Sequence, residues 1–141
     1  MSGLNTSLNL TDTEKLFFIK ALSRLAQADN CIKQEEHDFL QQLCSTFNIP
    51  ATQSEAIKSI TDAELINEAK QITNRQTAME LIKEMCMLAN TDGDISERET
   101  MLIGQIGLAM NLELEKIEQI SRWVIDRIIW LEEGKIIFEK V

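Results

Sequence analysis

Residues 88–112 read LANTDGDISERETMLIGQIGLAMNL, and residues 25–49 read LAQADNCIKQEEHDFLQQLCSTFNI. The two stretches align without a gap at an offset of 63 residues. Leu25, Ala26, Asp29, Ile32, Glu36, Gln42 and Asn48 meet identical residue types at Leu88, Ala89, Asp92, Ile95, Glu99, Gln105 and Asn111. Apolar positions correspond as well: Phe39 with Leu102, Leu40 with Ile103, Leu43 with Ile106, and Phe47 with Met110. In each copy one helix ends at Leu-Ala, the chain turns at Asp, Ile plugs inward and a second helix begins. The pattern therefore predicts a duplicated helix–turn–helix hairpin. Pro50 stops the first copy, because proline cannot continue a helix and restricts the residue before it.

Helix starts can be placed from capping boxes, in which a Ser or Thr hydroxyl accepts from an early backbone N–H and a Glu three residues on reaches back. Thr11 with Glu14, Thr52 with Glu55, Thr61 with Glu64, and Ser96 with Glu99 have this form, and Asn74 is a further cap. Apolar residues at three- and four-residue spacing follow each. The expectation is an all-α, single-domain bundle over 1–141 with about seven helices, near 11–28, 34–47, 52–60, 62–72, 75–90, 97–111 and 114–132. Repeat one covers about 13–49, repeat two about 75–112, and the C-terminal helix about 114–132. The core stripes are Phe39, Leu40, Leu43 and Phe47; Met79, Ile82, Met85, Cys86 and Ala89; and Ile103, Ile106 and Met110.

Composition agrees with that class. Of 141 residues 44% are hydrophobic and 26% charged, with five Gly and one Pro, which suits one packed domain with few loops. Fourteen Lys and Arg against 23 Asp and Glu leave a formal charge of -9, which repels nucleic-acid phosphates and anionic lipid head groups. The opening MSGLNTSLNLTDTEK lacks the basic start and apolar run of a secretory signal, and no stretch reaches the about 20 apolar residues that cross a bilayer. A cytoplasmic protein without membrane insertion is expected. Cys31, Cys44 and Cys86 are odd in number and widely spaced, with no Cys-x-x-Cys pair, and read as reduced thiols. Cys44 and Cys86 fall on apolar helical faces, whereas Cys31 lies in a turn.

The turn in the second copy has two readings. Asp92-Gly93-Asp94-Ile95-Ser96, with Glu99 beyond, is spaced like the second half of an EF-hand calcium loop. Leu88 stands where such a loop needs its first aspartate, and in the first copy Asn30, Cys31 and Lys33 replace Gly93, Asp94 and Ser96. That excludes tight EF-hand binding and leaves a weak or water-rich site open. The alternative needs no ion: Gly93 supplies positive φ, Ser96 and Glu99 cap the next helix, and Asp92 and Asp94 favour turns.

The paired pattern Leu-Ala-x-x-Asp-x-x-Ile-x-x-x-Glu, in LAQADNCIKQEE and LANTDGDISERE, resembles the TerB-like family, over about residues 13 to 112. That group includes a tellurite-resistance protein and the N-terminal region of a membrane-anchored DnaJ-type co-chaperone. The resemblance implies two helical repeats, no catalytic activity, and a divalent cation (calcium or similar) held by acidic residues of both repeats. Carried over by position, these are Asp29, Glu36, Asp92 and Glu99, with Asp94 as an auxiliary member. The first copy departs from the usual Asp-Gly, having Asp29-Asn30.

Other chemistry is sparse. His37, beside Glu35, Glu36 and Asp38, reads as part of a solvated face, and there is no phosphate-binding glycine loop or glycine-framed nucleophile. The expectation is a non-enzymatic module, linked to tellurite resistance or stress response through a protein partner and tuned by a cation. The alternative is a purely structural interaction or dimerisation domain that needs no metal. It rests on the C-terminal helix, where Leu114, Ile117, Ile120, Val124, Ile128 and Leu131 form a core-facing stripe. Trp123 and Trp130 lie beside the stripe, either covering another flank of the bundle or forming a homodimer contact. Beyond Gly134, Lys135-Ile136-Ile137-Phe138 would pack back or meet a partner.

Overall fold

The structure, a computed structural model, describes residues 10–26, 38, 41–42, 44–45, 60–90 and 95–139. Among them are five helices: α1 (Asp12–Ala26), α2 (Asp62–Ala69), α3 (Arg75–Ala89), α4 (Glu97–Ala109) and α5 (Leu114–Glu139). Residues 38, 41, 42, 44 and 45 are also helical, within the helix expected over 34–47. The expected helix at 52–60 and residues 27–37 of repeat one, with its turn, lie outside the described residues, so seven helices are not counted.

The starts follow the caps. Thr11 and Glu14 exchange hydrogen bonds of 2.9 and 3.1 Å ahead of α1. Thr61 and Glu64 close a full capping box on α2, and the Thr61 N–H and hydroxyl hold the Glu64 carboxyl below its usual range. Asn74 Oδ1 accepts from Thr77 N–H on α3, and Ser96 with Glu99 closes a box on α4. Each pair satisfies N–H groups that a helix start leaves without partners. The Thr52–Glu55 pair lies outside the described residues.

The ends differ from expectation. Where the pattern predicts a helix over 62–72, α2 stops at Ala69 and the chain turns so that Ile72 is buried. Where 97–111 is expected, α4 stops at Ala109, because Asn111 takes φ 69°. Asn111 N–H then donates to Leu108 O and Leu112 N–H to Gly107 O, the paired bonds of a Schellman cap, with Leu112 buried as its apolar plug. At the C-terminus the helix expected to end near 132 runs through Gly134 to Glu139. One glycine costs about 1 kcal/mol in a helix, whereas only proline stops one outright, and the Glu132–Lys135 pair (3.5 Å) bridges the position.

Helix α3 is central, packed against α1, α4 and α5, while α2 lies against α1 and α4. The core is built from Phe17, Phe18, Leu22, Leu65, Leu81, Ile82, Met85 and Ile106, among others. Full burial of each large side chain contributes about 1.5–3 kcal/mol. Partly buried ion pairs tie α1 to α2: Arg24 Nε to Asp62 Oδ1 at 2.5 Å, and Lys20 Nζ to both oxygens of Glu68 at 3.3 Å. Arg75 at the start of α3 pairs with Glu113 just before α5, and Ser121 of α5 lies against the Cys86 thiol near the end of α3. The two helices therefore run side by side in one direction.

Candidate functional site

Of the five acidic residues expected to share a cation, Asp29, Glu36, Asp92 and Asp94 lie outside the described residues. Glu99 is described. Its carboxylate Oε1 accepts from Ser96 N–H at 2.9 Å, while Ser96 Oγ accepts from Glu99 N–H at 3.1 Å, and the side chain is buried. Asn90 turns its Nδ2 to Cys86 O at 2.7 Å and so closes the end of α3. Both groups carry out cap chemistry. Among the described residues no three His, Cys, Asp or Glu side chains gather as a metal site would require.

The cysteines in the described part are free. Burial pushes the Cys86 thiol up to about 11, partly offset by Ser121, and burial also raises Cys44. Neither is poised as a thiolate nucleophile near neutral pH.

The prominent surface is on α5. Helix α3 has 15 residues and α5 has 26, so at 1.5 Å per residue α5 is longer by about 16 Å. Ile117 and Val124 are buried where α3 lies alongside, and Ile120 and Ile128 are half-buried. The stripe expected to face the core then runs out: Leu131 is 47% exposed and Phe138 81% exposed. At the other end Leu114 is exposed too. Trp123 and Trp130 do not cover the bundle, being 53% and 70% exposed, and Ile129, Ile136 and Ile137 are also open. Asp126, Glu132, Glu133 and Glu139 stand among them with Arg127 and Lys135, giving this length of helix an acidic balance.

Among the hollows along α5, two are shared with a neighbouring helix. A cleft of about 320 Å³ between α3 and α5 is lined by Met79, Glu80, Lys83, Lys116, Ile120 and Trp123, among others. A groove of about 410 Å³ between α4 and α5 is mainly apolar, with Ile95, Ile103, Gly104, Ile117 and Ile125 in its walls.

One residue escaped the sequence reading. Glu84 is fully buried in α3, Lys83 Nζ lies 3.8 Å from its Oε2, and Lys83 also pairs with Glu80. A signal existed: Glu84 stands three residues after Leu81 and four before Leu88, on an apolar helix face.

Comparison of the chain with protein-family models, curated proteins and solved structures gives no match. What the fold defines is the class, an all-helical bundle with a C-terminal helix that outruns its packing.

Proposed function

We propose that the protein is a non-enzymatic binding module that docks another protein along the exposed apolar length of α5. The observation that carries this reading is the run of large apolar side chains, Trp130, Leu131, Ile136, Ile137 and Phe138, left in solvent beyond the end of α3. Exposed apolar surface rimmed by charge is characteristic of interaction sites, and tryptophan is enriched among residues that dominate binding energy. The acidic rim and the net charge of -9 oppose pairing of two copies, and favour a different partner with an apolar strip flanked by basic residues. No catalytic set in the sequence argues for an enzyme.

The test is affinity capture with quantitative mass spectrometry, comparing wild type with Trp130→Ser/Phe138→Ser. Both side chains are exposed, so the variant should fold. A partner held by the wild type, released by added salt and lost by the variant supports the reading. Identical sets of captured proteins would remove it, and a wild-type dimer in sedimentation at low ionic strength that the variant dissolves would reassign the surface to self-association.

A second proposal is a divalent cation shared by Asp29, Glu36, Asp92, Asp94 and Glu99, as the TerB-like resemblance implies. What favours it is that Glu99, at the exit of the acidic turn, is one of the buried charged side chains. Calorimetric titration of metal-free protein with calcium, magnesium, manganese and zinc tests it. No heat and no melting shift at millimolar metal would leave the turn as a pair of caps.

A further inference from the structure

Glu84 sits in the middle of α3 with no exposed surface, and neither of its carboxylate oxygens has a hydrogen-bond partner. Among the described residues its charged neighbours are on its own helix: Lys83, 3.8 Å away, and Glu80, which shares that lysine. Among the described residues, the helices packed on α3 add no charged group that acts on it. Lys20 and Arg24 of α1 are engaged by Glu68 and Asp62, Glu99 of α4 closes its own capping box, and Lys116 of α5 binds Gln119. An ionised carboxylate in such a place has no solvent and only the shared Lys83 ammonium near it, and takes up a proton instead.

We infer that Glu84 is a protonation latch: the bundle packs with this carboxyl neutral, and loss of its proton puts a charge inside the core that loosens α3 from its neighbours. Partly satisfied polar groups in a core are where packing yields first. Burial pushes the pKa up from 4.5 to about 7, with Lys83 lowering it and Glu80 raising it by smaller amounts. Because the folded value lies above the unfolded one, the folded state binds the proton more tightly. The stability this provides is fully present below about pH 4.5 and is lost as pH rises through about 7. Lys83 carries the change outward, since it also lines the α3–α5 cleft, and a newly charged Glu84 draws on that lysine.

Urea unfolding of wild type and Glu84→Gln at about pH 5.5 and about pH 8 tests the latch. Between these values the folding equilibrium constant of the wild type is expected to fall roughly 25-fold more than that of the variant. In the folded wild type, the carbon-13 signal of the Glu84 carboxyl is expected to titrate near 7. Parallel pH profiles for the two proteins, or a Glu84 carbon that titrates in the ordinary carboxylate range, overturn the inference. Should Glu84→Gln fail to fold, the wild-type carbon titration decides alone. Glu80→Gln then supplies the sign: removing the like charge is expected to move the midpoint down, and an unmoved or raised midpoint counts against the latch.

Discussion

Gly107 and Gly104 lie one turn apart on α4 under opposite constraints. A Cβ at Gly107 would meet Ile117 Cδ1 at 2.5 Å and Cγ1 at 2.8 Å, with Ile82 Cδ1 at 3.3 Å, and both isoleucines are too buried to swing away. Gly107→Ala is therefore expected to destabilise by about 1–3 kcal/mol through overpacking. At Gly104 nothing lies within 4 Å, so Gly104→Ala should stabilise α4 by about 0.5–1 kcal/mol. Thermal melts of the two variants should move in opposite directions, and equal shifts would contradict the α4–α5 packing. Asn111, just past the end of α4, has a left-handed backbone: at φ 69° a β-branched side chain is strained. Asn111→Val should cost about 1–2 kcal/mol while Asn111→Gly is tolerated, a difference that urea unfolding reads directly.

Among the elements, α4 and α5 show what local sequence can and cannot place. The Ser96–Glu99 box was legible because its spacing is a property of a single turn, and Ser96→Ala should cost about 1 kcal/mol in a melt, with the loss of protection centred on the first turn of α4. The end of α5 was not legible in the same way. Gly134 reads as a stop, yet the residues after it are compatible with a helix and the chain continues through it to Glu139. Gly134→Ala, where nothing lies within 4 Å, should slow amide exchange in the last turns about 3-fold while leaving the melt of the core unchanged. Unchanged exchange there would mean that the glycine does not limit the helix.

For the whole molecule, charge and apolar surface act against each other. A charge of -9 keeps copies apart at low ionic strength, while the open side chains of α5 favour association once that repulsion is screened. Light scattering should therefore show apparent mass rising with salt for the wild type and staying flat for Trp130→Ser/Phe138→Ser. A wild type that stays monomeric at high salt would show that the α5 face is too weakly apolar to drive contact. No described helix is long and apolar enough to cross a membrane.

The sequence by itself determined the helical class, the caps at Thr11, Thr61, Asn74 and Ser96, and the stripes from Ile82 to Ala89 and Ile103 to Met110, because capping and amphipathicity act over one to three turns. It also drew attention to NTDGDISERE, of which Ser96 and Glu99 are placed as caps and the acidic turn between Asn90 and Ile95 lies outside the described residues. Tertiary structure alone decided that Trp123, Trp130 and Leu131 stay in solvent, since that depends on where α3 stops beside α5. It also decided that Glu84 is enclosed, since burial of a carboxyl is set by helices distant in sequence and by no pattern in its own turn.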